Sequence, residues 1–350
     1  MKQVKGILLV NLGTPDSYKT ADVRKYLLEF LLDPRVIDIP EIPRQLLVRG
    51  IIAPFRAPKS ANTYKAIWTA DGSPLLVHGK QDALKLQQLL GTEYKVVLAM
   101  RYGNPSIEKG IEELTKANVS SIRVIPMFPQ YASATTGSVH QKVMEIVSKQ
   151  QIIPTIEFIN SYPLYPDLIS AFAEKGKQAR VNEADFVIFS FHGLPERQIR
   201  KADSNQVCLK ASCCNQLTYQ NQYCYKAQCY ATARAIAKQA GIPPEKYEVA
   251  FQSRLGKDPW IQPYTSDVVE RLGKAGKQNV VVFCPAFVCD CLETSFEIGV
   301  EYAEEFKHAG GGGFSLLPGL NFHELWVQTL AGLSRGNIDE IHRQLLGGNS

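Results

Sequence analysis

Short β-rich apolar runs alternate with longer amphipathic stretches along this chain, and the alternation restricts the folds that it can adopt. The strands predicted from these runs include Ile7–Asn11, Asp185–Phe191 and Asn279–Cys284. Strands that are apolar on both faces and are joined by helices are typical of parallel sheets with helices on either side. We therefore predict an α/β protein with a doubly wound parallel arrangement.

The chain also repeats its own pattern, in the same order, in its two halves. The matching pairs are 94–103 with 247–256, 114–128 with 272–287, and the strand exits 12–15 with 192–195. Three echoes predict two similar domains with a boundary near residue 160. The first domain covers 1–160, the second covers 161–320, and a C-terminal helix is predicted at about 321–342. Ligands of open parallel sheets bind at the carboxyl ends of strands, so we expect a cleft where the two sets of ends face each other.

The composition fits a globular protein of this size. Of 350 residues, 45% are apolar and 21% are charged, which excludes a disordered chain. The formal charge of +5 is spread along the chain without a basic block that would indicate a nucleic-acid arm. We find neither a membrane-length apolar run nor a cleavage-site or transit pattern, so we expect a soluble cytoplasmic protein.

Two groups at predicted strand ends have the chemistry of a reactive site. His192 follows an apolar strand and precedes a Gly-Leu-Pro turn, and an imidazole can accept a proton or bind a divalent cation. Glu293, Glu297 and Glu301 are spaced i, i+4, i+8, which predicts one acidic stripe on a helix. A structural histidine and a solvated helix face are the ordinary alternatives. Because that helix begins beside the predicted cleft, we favour proton transfer or guidance of a hard cation.

Two further stretches are predicted to line the opening. The segment 126–138 mixes apolar, aromatic and hydroxyl side chains that suit a flat apolar ligand. The segment 37–58 is apolar and basic and is interrupted by prolines. It is either a packed crossing loop or a mobile lip that admits an apolar, acidic-edged substrate at a membrane surface.

Five of the eight cysteines are concentrated in one short segment, namely Cys208, Cys213, Cys214, Cys224 and Cys229. A secreted disulfide framework would be spread over a small domain behind a signal peptide. The local cluster therefore favours a metal site. A set of reduced thiols is the alternative.

Taken together, the motifs of this chain resemble the ferrochelatase family, whose members insert ferrous iron into a porphyrin. The resemblance extends from about Gly6 to about Trp326 and rests on these segments: 11–15, 29–37, 72–75, 100–102, 128–131, 135–138, 190–195, 251–254, Trp260 and 290–294. It implies two similar Rossmann-like domains, each a parallel sheet flanked by helices, with the final helix packed on the first domain.

The resemblance also implies roles for single residues. His192 matches the family's essential histidine, and Glu293 matches the carboxylate opposite it across the porphyrin plane. Within the family these two residues are described either as proton acceptor or as iron site, so both assignments stay open here. Glu297 and Glu301 fall on the family's acidic helix and join His192 and Glu293 as candidate metal ligands. The residues that match the macrocycle pocket are Leu12, Arg101, Tyr102, Tyr131, Trp260 and Phe287.

The cysteine segment is similar to that of bacterial ferrochelatases that carry an internal [2Fe–2S] cluster. Four thiolates from Cys208, Cys213 or Cys214, Cys224 and Cys229 would hold such a cluster, and zinc is the main alternative. Sequence leaves open which of the adjacent Cys213 and Cys214 takes part.

The function implied by the resemblance is insertion of Fe²⁺ into protoporphyrin IX with release of two protons, giving protohaem. Leu12 favours protoporphyrin, because relatives that act on coproporphyrin often carry tyrosine there. The alternatives are a coproporphyrin ferrochelatase, a chelatase for another tetrapyrrole, and a non-catalytic porphyrin or haem carrier or redox sensor. The sequence does not decide whether the chain forms a homodimer or associates peripherally with the inner face of a membrane.

Overall fold

The computed structural model of the chain describes residues 3–210, 212–256 and 258–336. These residues form two compact units. The first contains 3–128, 132–160 and 330–335, and the second contains 129–131, 161–329 and 336. The last helix thus contributes to both units, whereas the sequence assigned it to the first domain alone. Its predicted continuation to 342 lies outside the described residues.

The first unit is built on a four-stranded parallel sheet of order β2-β1-β3-β4. Its strands are β1 (Lys5–Thr14), β2 (Tyr94–Gly103), β3 (Ser121–Pro126) and β4 (Thr155–Phe158). Its helices are α1 (Thr20–Leu31), α2 (Glu41–Leu46), α3 (Ala53–Ile67), α4 (Pro74–Leu90), α5 (Ile107–Lys116) and α6 (Ser138–Val147), with π-helical segments at Leu47–Ile52 and Ser133–Gly137 and a 3₁₀ turn at Gly91–Glu93.

The second unit repeats this arrangement with the order β6-β5-β7-β8, again all parallel. Its strands are β5 (Phe186–His192), β6 (Tyr247–Gln252), β7 (Asn279–Phe283) and β8 (Gly313–Leu316). Its helices are α7 (Pro166–Gln178), α8 (Glu196–Ala202), α9 (Tyr225–Ala240), α10 (Thr265–Lys274) and α11 (Ala303–His308), with a π-helical segment at Glu293–Tyr302, 3₁₀ turns at Val181–Glu183, Tyr219–Asn221 and Pro244–Lys246, and α12 (Glu324–Arg335) at the end.

Both predicted parallel sheets are present, and their strands are buried as the two-faced apolar pattern requires. Ile7, Leu8, Leu9 and Val10 of β1 are at most 1% exposed. Adjacent side chains point to opposite faces of a strand, so burial of consecutive residues means that helices cover both faces of the sheet. The fold is therefore the two-domain α/β architecture predicted from the alternation and the internal echo.

The similarity between the strand ends at 12–15 and 192–195 has a steric basis. Gly13 has φ +127°, and a Cβ atom there would lie 1.9 Å from the carbonyl oxygen of Tyr102. A Cβ atom at Gly193 would lie 2.8 Å from the carbonyl oxygen of Gln252. In each unit a glycine lets the end of the first strand approach the neighbouring strand closely. The residue before each glycine differs: it is Leu12 in the first unit and His192 in the second.

The segment 37–58, predicted as an irregular crossing loop or lip, is mostly helical. It contains α2, the π-helical segment Leu47–Ile52 and the start of α3. Arg44, assigned to the lip from sequence, is buried, and its guanidinium donates to the carbonyl oxygen of Ile39 at 2.8 Å. Pro40 is the N-cap of α2 and Pro43 lies in its first turn, where proline needs no hydrogen-bond partner for its nitrogen, whereas Pro58 lies inside α3.

A helix that crosses a bilayer needs about 20 consecutive, mostly apolar residues. Over 3–210, 212–256 and 258–336, no helix combines the length and the apolar character needed to cross a membrane.

Candidate active site

The second unit places His192 at the carboxyl end of its central strand, as predicted. His192 is the last residue of β5 and is paired in register with Gln252, the last residue of β6. The next amide, that of Gly193, donates to the Gln252 carbonyl at 2.8 Å. Two strands therefore end side by side at His192, where ligands of parallel sheets are bound.

The contacts of the His192 ring indicate its tautomer. Nδ1 lies 2.6 Å from the carbonyl oxygen of Gly193, and a carbonyl oxygen only accepts hydrogen bonds. The hydrogen of a neutral ring is therefore assigned to Nδ1, which leaves the lone pair of Nε2 to accept a proton or bind a cation. The rings of Trp260 and Phe287 lie 6.4 Å and 6.5 Å from the imidazole by centroid distance. His192 is thus set among aromatic side chains.

The acidic segment is helical, but its first part is a π-helix rather than the predicted α-helix. Glu293–Tyr302 has the wider π-helical turn, and α11 follows directly. In a π-helix the backbone bonds connect residues five apart, so the i, i+4, i+8 spacing that suggested a regular stripe does not keep the three carboxylates equivalent. Glu293 and Glu297 are half-buried, whereas Glu301 is exposed.

Glu297 is the carboxylate that the structure holds most firmly. Its Oε2 accepts from the hydroxyl of Ser253 at 2.6 Å and from Nε2 of Gln252 at 3.3 Å. Its Oε1 accepts from the hydroxyl of Tyr302 at 3.4 Å. Ser253 has φ +64°, a left-handed conformation that is uncommon for a non-glycine residue. The end of β6 is therefore bent into the geometry that aims Ser253 at Glu297.

Burial sets the proton affinity of Glu297. It raises the pKa of this carboxyl above the ordinary 4.5, and the charge of Glu293 acts in the same direction. The Ser253 hydrogen bond and the charge of His192 oppose the shift. Interactions with both His192 and Glu293 mean that all three groups lie within electrostatic reach of one another. A carboxylate with a raised pKa beside an imidazole is a suitable proton acceptor.

The four-residue metal set predicted from sequence, namely His192, Glu293, Glu297 and Glu301, stays a prediction. Within 3–210, 212–256 and 258–336, no group of three or more His, Cys, Asp or Glu side chains is arranged to hold a metal ion. Glu301 is roughly two helical turns from Glu293, too far to share one ion with it. Glu301 instead adds to the charge around Glu305, whose pKa is raised mainly by burial. His192, Glu293 and Glu297 come together, and Glu301 stands apart.

Tyr131 belongs to the second unit and is held by α9. Its backbone N–H donates to Oε1 of Gln228 at 2.7 Å. Its ring meets that of Tyr223 edge to face, with centroids 5.8 Å apart. Tyr131 is half-buried, which leaves part of its surface exposed.

The other predicted pocket residues lie in the first unit, at the ends of β1 and β2. Leu12 is half-buried. The Arg101 guanidinium forms an ion pair of 2.6 Å with Asp33 and donates to the hydroxyl of Ser138 at 2.6 Å. Hydrogen bonds from Ser138, the backbone of Arg35 and Tyr102, together with the charge of Arg101, lower the pKa of Asp33 although burial opposes this.

Tyr102 differs from the sequence-based prediction that it lines the macrocycle pocket. Its side chain has no exposed surface, and its hydroxyl donates to Asp33 at 2.8 Å. Its ring packs behind Arg101, whose guanidinium lies 4.4 Å from the ring centroid. Tyr102 therefore supports Arg101 from inside the first unit. The roles of Leu12 and Arg101 in binding remain predictions.

The clustered cysteines converge around Cys224. Cys208 and Cys214 each form a side-chain hydrogen bond with Cys224, and Cys229 interacts with it electrostatically. These four are buried, whereas Cys213 is only half-buried, with its sulfur 3.6 Å from that of Cys214. The structure thus distinguishes the two neighbours that the sequence could not. The metal-ready geometry expected from sequence is nevertheless absent from this segment of the described chain.

Hydrogen bonding makes Cys224 the acidic member of this group. Donation from Cys208 and Cys214 lowers the pKa of Cys224 to about 3, and backbone N–H groups at the start of α9 contribute to the shift. The same hydrogen bonds raise the pKa of Cys208 and of Cys214. A thiolate at a helix N-terminus that two further thiols surround has the chemistry of a metal ligand.

Sequence reasoning missed the residues that hold the reactive groups. Gln252 donates to the carbonyl oxygen of Glu293 at 2.9 Å, and the hydroxyl of Tyr225 donates to the carbonyl oxygen of His192 at 2.9 Å. Gln252 and Ser253 belong to the segment 251–254, one of those that carry the family resemblance. Their position directly after an apolar strand, as for His192, was the signal that pointed to them.

The raised pKa of Glu297 predicts how stability depends on pH. Above the ordinary carboxyl pKa, the unfolded chain releases this proton before the folded one does, so the free energy of unfolding falls as pH rises toward the folded-state pKa. Glu297→Gln removes this loss. We expect the melting temperature of the variant, relative to that of the native chain, to increase as pH rises above the ordinary carboxyl pKa of 4.5.

Thermal unfolding across this range checks the prediction. Glu301→Gln is the matched control, because that side chain is exposed on the same segment. The melting temperature of Glu297→Gln minus that of the native protein should grow as pH rises. If this difference stays constant or shrinks, the pKa of Glu297 is not raised in the folded protein.

Known proteins resemble this chain in sequence. A sequence model of the ferrochelatase family matches residues 4–338. Curated ferrochelatases from Legionella pneumophila strain Corby, Opitutus terrae and Coxiella burnetii strain Dugway are 45%, 42% and 39% identical. The matches cover 93%, 97% and 95% of this chain and 97%, 99% and 94% of the relatives, respectively.

Solved structures resemble the fold at much lower identity. SirB from Bacillus subtilis with Fe³⁺ has a TM-score of 0.51 at 11% identity, covering 98% of this chain and 96% of its own. The sirohydrochlorin chelatase SirB from subspecies spizizenii, in complex with cobalt, has a TM-score of 0.52 at 9% identity, covering 98% and 95%. Such identities support the fold alone. The extent and identity of the sequence matches establish that this chain belongs to the ferrochelatase family.

Proposed function

We propose that this chain inserts ferrous iron into protoporphyrin IX, with His192 and the carboxylates of the π-helix Glu293–Tyr302 as its reactive groups. Membership in the ferrochelatase family makes it a lyase that inserts metal into a porphyrin in haem biosynthesis. The observation that carries the residue assignment is the grouping of His192, Glu293 and Glu297 at one edge of the second sheet.

The reaction requires an acceptor for two protons. A neutral porphyrin loses both pyrrole N–H protons as its four nitrogens bind Fe²⁺, so the charge of the ring-bound iron is balanced. Nε2 of His192 carries the lone pair that can take the first proton. Glu297, whose pKa is raised by burial, is the next acceptor, because a carboxylate removed from water gains from neutralisation.

Ferrous iron is the second substrate, and the same groups are its route to the ring. Carboxylate oxygen and imidazole nitrogen are both ligands for divalent iron. Glu293 lies at the start of the π-helix, with its backbone held by Gln252, and Glu301 is exposed at the far end. We infer that the acidic residues attract the cation toward Glu293 and His192, with no fixed cage around it.

The ring is expected to lie against aromatic surface. Trp260 and Phe287 flank His192, and Tyr131 is half-exposed in the same unit. The preference for protoporphyrin IX over coproporphyrin rests on Leu12, whose apolar side chain suits the more apolar substrate. Parallel assays with the two porphyrins test this preference, and faster turnover of coproporphyrin would reverse it.

The histidine assignment predicts that His192→Ala abolishes turnover while porphyrin binding persists. Loss of a positioned proton acceptor costs about 100-fold or more in kcat. Glu293→Gln is expected to reduce turnover strongly as well. The measurement is the loss of porphyrin fluorescence after ferrous iron is added, with zinc as a parallel metal, and His308→Ala serves as an exposed histidine control.

The outcome tests the role of His192 and distinguishes a chelatase from a porphyrin carrier or sensor. Turnover near the native rate in His192→Ala overturns the role of His192. Native protein that binds porphyrin but leaves its fluorescence unchanged on addition of iron is a carrier or a sensor rather than a chelatase.

We further propose that Cys208, Cys214, Cys224 and Cys229 hold a [2Fe–2S] cluster, which would supply a redox-active centre when bound. The support is the convergence of buried thiols on Cys224 and the thiolate character of that residue. No three of these thiols are arranged to hold a metal ion in the described part of the chain, so the proposed cluster rests on their burial and their proximity to Cys224. No step of metal insertion is assigned to it.

The adjacent Cys213 and Cys214 provide matched variants for this proposal. We expect Cys214→Ser to lose iron and acid-labile sulfide after anaerobic purification, and Cys213→Ser to keep both, because only Cys214 bonds to Cys224. Metal and sulfide analysis is the measurement. Zinc without sulfide in the native protein excludes the cluster. Equal loss of iron and sulfide from the two variants contradicts the choice of Cys214 as the ligand.

We propose that the first unit associates peripherally with an anionic membrane surface on the cytoplasmic side. The apolar side chains of α2, the π-helical segment and α3 are exposed, as follows: Ile42 (74%), Leu46 (69%), Ile51 (57%) and Phe55 (78%). Arg49 and Arg56 are exposed in the same segment. Apolar side chains with flanking arginines are typical of interfacial membrane contact.

This surface predicts weaker vesicle binding when its apolar groups are removed. We expect the double variant Ile42→Ser with Phe55→Ser to bind vesicles of mixed neutral and anionic phospholipid several-fold more weakly than the native protein. Cosedimentation measures the bound fraction. Ile152→Ser is the control, since Ile152 is 85% exposed elsewhere in the first unit. Equal binding by all three proteins contradicts the proposal.

A further inference from the structure

The first turn of α9 holds the backbone at two parts of the proposed active site. The hydroxyl of Tyr225 donates to the carbonyl oxygen of His192 at 2.9 Å. Three residues later, Oε1 of Gln228 accepts from the backbone N–H of Tyr131 at 2.7 Å. Residues three apart share one face of a helix, so one turn fixes both segments.

Gln228 is fixed by several partners at once. It is fully buried, and its Nε2 donates to the hydroxyl of Ser161 at 3.2 Å and to the carbonyl oxygen of Gln222. Both ends of the amide are therefore engaged. A buried amide in this state keeps one orientation, because any other leaves a polar group without a partner.

Tyr225 is similarly constrained. Its side chain is buried, and its hydroxyl lies in hydrogen-bond contact with the thiol of Cys229, one turn further along α9. The residue before it, Cys224, caps the helix and receives hydrogen bonds from Cys208 and Cys214. The cysteine segment thus anchors the start of the helix that supports His192.

We propose that Tyr225 and Gln228 are positioning residues for metal insertion, with Tyr225 acting through His192 and Gln228 acting through Tyr131. The inference rests on the proposed function and assigns to α9 a role in that site. A shift of the His192 carbonyl moves the whole residue, including Nε2, relative to the proton that it accepts. A shift of Tyr131 moves an aromatic surface against which the porphyrin is expected to lie.

The two residues should therefore affect different kinetic constants. Misplacing a reacting group by a fraction of an ångström slows the chemical step, whereas disturbing a binding surface weakens binding of substrate. A purely structural role for α9 would change thermal stability and leave no such separation between kcat and KM.

The first test compares Tyr225→Phe with Tyr230→Phe, two tyrosines on the same helix. Tyr230 has no role in the proposed site, so its variant controls for loss of a hydroxyl from α9. We expect Tyr225→Phe to lower kcat about ten-fold with KM for porphyrin changed by less than about two-fold. Tyr230→Phe should keep both constants. A kcat for Tyr225→Phe equal to that of Tyr230→Phe overturns the role of Tyr225.

The second test uses Gln228→Met and Gln228→Glu. The methionine removes the acceptor for the Tyr131 amide, and the glutamate, protonated in this fully buried position, restores an acceptor and keeps one donor. We expect a porphyrin KM raised about ten-fold in the first variant and largely recovered in the second. Failure of Gln228→Glu to bind porphyrin better than Gln228→Met overturns the role of Gln228.

Direct porphyrin binding separates this inference from the proposed function. Fluorescence titration of the metal-free proteins with protoporphyrin reports on the contact between Gln228 and Tyr131 without turnover. Native protein that lacks insertion activity refutes the proposed function. Even if the proposed function is refuted, weaker protoporphyrin binding by Gln228→Met than by Gln228→Glu supports the positioning of Tyr131 by Gln228. Equal protoporphyrin binding by the two variants refutes that positioning role.

Discussion

The hydrogen bonds from the end of β6 to the acidic π-helix are the contacts on which the proposed site depends. Gln252 and Ser253 continue a strand that ends beside His192, and both donate to Glu297. A half-buried carboxyl group is costly to ionise unless hydrogen bonds stabilise its charge. These donors keep Glu297 oriented, while burial keeps its proton affinity high. The result is a carboxylate whose position and basicity are both set by its surroundings.

The duplicated architecture explains why the reactive groups are concentrated in the second unit. Each unit ends its first strand with a glycine that allows close approach to the neighbouring strand. The residue before that glycine is Leu12 in one unit and His192 in the other. Equivalent strand ends thus carry an apolar side chain in the first unit and an imidazole in the second. Arg101, at the end of β2, is held by Asp33, whereas the end of β6 holds Glu297.

The sequence alone predicts the two sheets and the position of His192 at a strand end, because short local patterns encode both features. Apolar strands buried on both faces have a pattern that few other structures share, and a strand end is identified by the turn that follows it. The π-helix was not predictable in this way, because helical periodicity does not distinguish bonds over five residues from bonds over four. The burial of Tyr102 against Asp33, and the bonds of Tyr225 to His192 and of Gln228 to Tyr131, depend on partners distant in the chain. No local pattern encodes such contacts.

The cooperation of His192 and Glu297 is the central claim, and a double-mutant cycle on kcat/KM for ferrous iron insertion tests it most directly. Residues that act as one unit in a transition state have strongly non-additive effects. We expect the variant carrying both His192→Ala and Glu297→Gln to be about as slow as the slower single variant. Losses that multiply, so that the double variant is slower by the product of the two single effects, would show that the two groups work independently and would contradict this account.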